Sequence, residues 1–367
     1  MGQTCKKDDD EDAGGTREEL TEAPGLEGVP GLERLVVVER TGSTNDDLRS
    51  ALTGADGRLD PCAAAAWPHI SALWAHYQDA GRGRAGRHWI TPPGSALTVS
   101  FVLRPLVPAA ALAWLPLLAG LAVRDVVDAI LIAARVPWRA GTKWPNDVVL
   151  VPEGWAGTVG AGAGTTAGAA GAGTGTSPAP EPIEIPGWGR ARKVAGILAE
   201  LIPAAEGADA RASTTRVGAA GAVGATGAGA VSADRGAACA VVLGIGVNTG
   251  QSESELPVPW ATSLRLAGAR VEPRALLEPL SARLDELVTA WEAGEGDPDA
   301  GDGALGAALR RACTTLGRRV RVDAPGGVLR GTAVDIAPGL VLRGADGTMR
   351  TVDAGDVSHV RTDGAVD

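Results

Sequence analysis

Two periods of apolar residues organise this chain. In 96–103, Leu97, Val99, Phe101 and Leu103 alternate with small or polar residues, the period of a half-buried strand. Residues 35–39 and 70–78 predict further strands, and 147–151, 193–202 and 240–247 are apolar enough to lie inside a sheet. Helical spacing governs 273–291, where Leu276, Leu277, Leu280, Leu284, Leu287, Val288 and Trp291 share one face. A long apolar helix is expected over about 109–134, and Ser43-Thr44-Asn45-Asp46 marks a helix start. After a short helix near 304–313 the pattern changes to short strands at 319–323, 329–336, 340–342, 349–352 and 357–361. Gly, Pro and Asp-Gly turns separate them, which predicts a small barrel.

Other stretches carry no period. Residues 1–33 read as a disordered acidic tail containing the run Asp8-Asp9-Asp10-Glu11-Asp12. Segments 152–190 and 203–236 are rich in Gly, Ala and Thr and bury too little to offset chain entropy, so they read as disordered insertions in surface hairpin loops. The expected organisation is therefore a tail, a catalytic domain over 34–303 and a C-terminal barrel domain over 304–367.

Composition narrows the function. A net charge of −10 argues against a general nucleic-acid binder, which needs a basic surface. The four cysteines lie far apart without a CxxC pair, and no secretory signal opens the chain; both fit a cytoplasmic protein. Residues 106–123 lack charge and imitate a membrane span, but Pro108 and Pro116 interrupt them and Arg124, Asp125 and Asp128 continue the pattern, as in a buried core helix. Arginine outnumbers lysine thirty to four. Only Lys143 and Lys193 lie outside the tail, and the chain's three asparagines are Asn45, Asn146 and Asn248.

These rare residues fall inside the segments able to carry chemistry. In Gln78-Asp79-Ala80-Gly81-Arg82-Gly83-Arg84-Ala85-Gly86-Arg87-His88-Trp89, three glycines satisfy GxGxxG, yet Trp89, Pro92, Pro93 and Gly94 prevent the helix a dinucleotide site needs. Arginines on a glycine-rich loop instead describe a mobile clamp for anionic oxygens, and Trp89 offers a face to adenine. Mutual repulsion of the arginines is expected to keep that loop open and disordered until an anionic ligand binds. Lys143-Trp144-Pro145-Asn146-Asp147 puts an ammonium, an amide and a carboxylate at a strand edge, where a surface turn is the bland alternative. Lys193 opens the strand Lys193-Val194-Ala195-Gly196-Ile197-Leu198. The glycines of Gly244-Ile245-Gly246-Val247-Asn248 allow a ligand to lie against a strand.

Taken in order, Ser43-Thr44-Asn45, GRGRAGRHW, KWPND, KVAGIL and GIGVN resemble the motifs of biotin protein ligases, in particular the actinobacterial, monofunctional type. The likeness spans about 34–265 apart from the two insertions, and the last fifty residues look like the family's SH3-like barrel. The resemblance implies an α/β (α+β) catalytic domain with a mixed sheet, related to lipoate ligases and class II aminoacyl-tRNA synthetases. It implies ATP and biotin as substrates with Mg²⁺, formation of biotinyl-5′-AMP, and transfer of biotin to a lysine of a biotin carboxyl carrier protein or domain. By motif, Ser43, Thr44, Asn45, Gln78, Arg82, Gly83, Arg84, Lys193, Gly196, Gly244 and Gly246 would bind biotin. Arg84, Arg87, Trp89, Asn146, Lys193 and Asn248 would bind ATP, and Lys193, Arg84, Asp147 and Lys143 would carry the chemistry, with Mg²⁺ held mainly by substrate phosphates.

Some expectations mark departures. The acidic residues before the first strand do not suit a helix-turn-helix, so no DNA partner is expected, nor a membrane; a homodimer is left open. His76 stands where the family often has an acidic residue. A lipoate-type ligase and a non-catalytic biotin sensor or carrier-binding scaffold are the competing readings.

Overall fold

The computed structural model describes residues 29–154, 183–205, 239–353 and 355–359. Most of the expected tail, most of both insertions and the end of the last expected strand lie outside the described residues.

Seven strands form the main sheet: β1 (Arg34–Thr41), β2 (Ser71–Gln78), β3 (Ala96–Leu103), β4 (Trp138–Lys143), β5 (Asp147–Pro152), β6 (Arg192–Ile202) and β7 (Ala240–Asn248). Their spatial order is β1-β2-β3-β7-β6-β5-β4. Only β1 and β2 pair in parallel, so the sheet is mixed. The segments between β5 and β6 and between β6 and β7 each join antiparallel neighbours.

Helices cover both faces. On one lie α1 (Thr44–Leu52) and α2 (Pro61–Ala66); Leu48 and Leu52 of α1, with Leu59 from the segment between the helices, meet Val36, Leu73, Val102 and Val242 in a small core. Complete burial of Leu48 and of Leu52 contributes roughly 1.5–3 kcal/mol each. On the other face α3 (Leu115–Ala133) and α4 (Leu277–Ala293) build the main core with Leu97, Val99, Phe101, Leu150, Ile197, Ile245 and Trp291. Among the described residues no helix is long and apolar enough to cross a membrane.

Three details differ from the sequence expectation. The long helix is broken: a 3₁₀ segment, Ala109–Trp114, precedes α3, and Pro116 sits in the first turn of α3, where its missing N–H costs nothing. The alternating β3 is buried on both faces, because Thr98 and Ser100 turn towards polar partners instead of solvent. Strand β4 has no apolar alternation to announce it. At its centre a Cβ on Gly141 would lie 2.4 Å from the side chain of Thr314, so only glycine permits this approach.

After α5 (Ala304–Ala312), which packs on α3, α4 and β4, a second sheet follows. It contains β8 (Arg319–Ala324), β9 (Gly327–Ala337), β10 (Gly339–Arg343), β11 (Met349–Val352) and β12 (Asp356–His359), in the antiparallel order β11-β10-β9-β8-β12. This small β domain docks on the β4–β5 turn: Trp144 donates from its backbone N to Thr315 Oγ1 (3.1 Å) and from Nε1 to the Pro338 carbonyl (3.2 Å).

Candidate active site

Two residues separate β1 from helix α1, and the start of the helix meets the end of β2 at Gln78 and the middle of β3 and β7 at Ser100 and Gly244. Ser43 caps it, accepting from the Asp46 N–H (3.4 Å), and Asp46 and Asp47 complement the positive end of the helix. Thr44 donates from its backbone N (2.8 Å) and its hydroxyl (3.0 Å) to Gln78 Oε1. The same hydroxyl lies 2.6 Å from Ser100 Oγ, and Ser100 donates to Asn45 Oδ1 at 2.6 Å. Asn45 in turn donates to Glu200 Oε2 (2.8 Å) and the Leu198 carbonyl (3.4 Å). The result is a buried, neutral network at one end of a cavity of about 300 Å³.

The other end is cationic. Lys193 Nζ lies 2.5 Å from Asp147 Oδ1, and Arg84 Nη1 donates to Asn146 Oδ1 (3.3 Å) while Asn146 Nδ2 donates to the Ile197 carbonyl (2.8 Å). Burial pulls the Arg84 guanidinium below its ordinary pKa, opposed by Asp356 and Asp147. Trp89 closes the cavity from the glycine-rich loop. A Cβ on Gly246 would lie 2.5 Å from its indole ring, and one on Gly196 would lie 3.2 Å from Lys193 Nζ and 3.3 Å from the same ring. Gly244 is needed for a different neighbour, since a Cβ there would fall 2.3 Å from Asn45 Oδ1.

The loop is held down. Arg82 pairs with Asp46 and with Glu200 (3.4 Å), and Arg87 pairs with Asp356 of β12 at 2.7 Å. Repulsion among the arginines was the reason to expect an open loop; carboxylates from α1, β6 and the small β domain offset it, and the loop lies closed over the cavity.

Most residues singled out in the sequence line this one cavity: Ser43, Thr44, Asn45, Gln78, Arg82, Gly83, Arg84, Arg87, Trp89, Asn146, Asp147, Lys193, Gly196, Gly244, Gly246 and Asn248. Two are placed differently from a simple ligand contact. Lys143 is buried behind the cavity wall, donating to the Val357 carbonyl (2.6 Å) with its ammonium 4.3 Å from the centre of the Trp188 ring. Burial pushes its pKa down to about 8, opposed by Asp147. Asn248 reaches the cavity, but its amide is engaged by the Thr262 carbonyl (3.0 Å) and by Gln251 Nε2 (2.9 Å).

Several residues of the site were not singled out. Ser100 completes the neutral network, the Glu200 carboxylate accepts from Asn45 at its edge, and Trp188 and Trp260 stack 5.8 Å apart on the cavity wall. For Ser100 a signal existed in the polar positions alternating through β3. A second cavity of about 420 Å³, with Ala110, Ala113, Pro116, Pro338, Gly339 and Asp353 on its walls, adjoins the first through Arg84 and Asn146. Among the described residues no group of three or more His, Cys, Asp or Glu side chains is arranged to hold a metal, and Asp147 is the only acidic residue lining the first cavity.

The model of the biotin/lipoate A/B protein ligase family matches residues 63–211, and that of the biotin protein ligase C-terminal domain matches residues 315–360. Over 336 residues the chain is 32% identical to the biotin--[acetyl-CoA-carboxylase] ligase of Mycobacterium tuberculosis, covering 90% of this chain and 91% of that one. The chain belongs to the biotin protein ligase family. It is also 38% identical over 114 residues to the biotin--[acetyl-CoA-carboxylase] ligase of Paracoccus denitrificans, covering 31% of this chain and 41% of that protein. Its fold is similar to that of the biotin protein ligase from Aquifex aeolicus solved with biotin and ATP, with a TM-score of 0.54 at 20% identity over 90% of this chain and 100% of that one.

Proposed function

We propose that this chain is an ATP-dependent biotin protein ligase that forms biotinyl-5′-AMP and passes the biotinyl group to a lysine of a biotin carboxyl carrier protein or domain, in the cytoplasm. The observation that carries the reading is one cavity with a neutral hydrogen-bonding end and a cationic end. The first suits a polar, uncharged ring system; the second suits two anions that must react.

In the first half-reaction a carboxylate oxygen attacks the α-phosphorus of ATP and pyrophosphate leaves. Like charges must approach, and Arg84 and Lys193 offset that repulsion and stabilise the charge on the transferring group. Lys193 is the compact ammonium able to contact both reactants, and Asp147 fixes where it points. Magnesium arrives with the nucleotide, and the scarcity of carboxylates in the cavity suits an ion held mainly by phosphates. In the second half-reaction the neutral amine of the carrier lysine attacks the acyl carbon, releasing AMP. The adjoining cavity, which shares Arg84 and Asn146 with the first, supports an approach past those residues while the closed loop excludes water from the anhydride.

The test is pyrophosphate release from ATP with biotin or with lipoate as the acid, followed by labelling of a carrier domain. Release with biotin alone and incorporation at one lysine are expected. Equal use of lipoate would make it a lipoate-type ligase, and no pyrophosphate with either acid would leave a sensor or scaffold.

A further inference from the structure

The loop over the cavity carries three arginines within six residues, and the structure gives them unequal partners. Arg82 meets two carboxylates, Asp46 and Glu200. Arg87 meets one, Asp356. Among the described residues Arg84 hydrogen-bonds to the carbonyl of the Asn146 amide and has no direct carboxylate partner, with Asp356 and Asp147 acting on its charge from farther off. Two cations are thus paired directly with carboxylates, and the third is left without a direct one.

The carboxylate on Arg87 comes from a distant part of the chain. Strand β12 lies at the edge of the small sheet, paired only with β8. Two successive residues of it grip the catalytic domain: Asp356 takes Arg87 Nη2 at 2.7 Å, and the Val357 carbonyl takes Lys143 Nζ at 2.6 Å. From Arg87 the linkage continues to the reacting end. Its Nε donates to the Arg84 carbonyl (3.2 Å), and its own carbonyl accepts from the Gly83 N–H (2.7 Å). The backbone on either side of Arg84 is therefore fixed by the residue that Asp356 holds.

We propose that Asp356 is a positioning residue for adenylate formation and retention: through Arg87 it holds the loop down with Arg84 directed at the reacting phosphate. The small β domain then takes part in the first half-reaction as the outer anchor of the lid. This rests on the ligase reading above. Both partners of the pair are more than half exposed, at 59% and 55%, so its effect on global stability is small. Its effect on the loop is larger in proportion, because the other ion pairs of this glycine-rich segment are those of Arg82, on the far side of Arg84.

The pair is tested with Asp356→Asn and Asp356→Glu in the full chain. Hydrogen exchange over residues 82–90 should rise about fivefold in Asp356→Asn, the upper end for an exposed ion pair, and return towards wild type in Asp356→Glu, with the melting temperature unmoved. Without carrier, AMP released from biotin and ATP reports escaped adenylate; it should rise by a similar factor in Asp356→Asn. High salt should raise it in wild type and raise it less in that variant, where only the Arg82 pairs are left to screen. Unchanged exchange and an unchanged salt response in Asp356→Asn would overturn the proposal. Exchange needs no turnover, so that arm decides even if wild type makes no pyrophosphate, a result that would instead sink the ligase reading.

Discussion

The two ends of the cavity are built on opposite principles. At the neutral end Thr44, Asn45, Gln78 and Ser100 are buried and bonded to one another, on a helix start and two strands of the sheet. At the cationic end Arg82 and Arg87 reach from a loop to carboxylates in partly exposed pairs. Buried networks of short polar groups lose much when one member is removed and ignore salt; exposed ion pairs lose little and respond to it. Under the proposed function, recognition would fall to the buried half and commitment to reaction to the half built on the loop.

The sharpest way to break this division is Lys193→Ala. Loss of about 2–4 kcal/mol of transition-state stabilisation is expected in adenylate formation, with biotin affinity much less affected and the fold intact. Pyrophosphate release at the wild-type rate would remove Lys193 from the chemistry.

Lys143 lies behind the cationic end and reports on its burial. Its folded-state pKa of about 8 lies below the ordinary 10.5, so the unfolded chain binds the extra proton between those values. Stability should rise with pH across that window, and the penalty should be complete below it. The groups acting on its charge are Asp147, Lys193, Asp356 and Arg87. Urea unfolding at pH 7 and pH 10 should show wild type gaining about 3 kcal/mol relative to Lys143→Met; parallel pH profiles would mean the ammonium is not desolvated.

Gly244→Ala probes the neutral end. The new Cβ would displace the Asn45 amide, which is fixed on both sides, and overpacking of this kind costs about 1–3 kcal/mol. Weaker biotin binding with little change in the KM for ATP is expected; an equal change in both would deny the two ends their independence. The smallest expected effect is that of Asp356→Asn, confined to the lid.

Much of this was legible in the sequence because apolar period and rare residues both mark constraint. Leu97, Val99, Phe101 and Leu103 announced β3, and the isolated lysines and asparagines pointed at the cavity walls. Strand β4 was not legible, since Trp138-Arg139-Ala140-Gly141-Thr142-Lys143 owes its place to pairing with β5 and a close approach by Thr314. Glu200 and Asp356 were invisible for a similar reason. One carboxylate among many has no local signature, and its meaning comes only from the arginine that folding brings to it. Lys143 shows the converse: a motif residue easily seen, whose partner is a backbone carbonyl more than two hundred residues away.

The way β6 is flanked has a practical corollary. Eight residue pairs tie it to β7, while β5 grips its other edge from Arg192 to Gly196. All of these pairs lie outside 155–182 and 206–238, so cutting the chain within either stretch removes none of the ladder pairs described here. Two separately expressed fragments ending in either gap should find each other and restore the catalytic cleft, turning the molecule into a reporter of whatever brings the halves together.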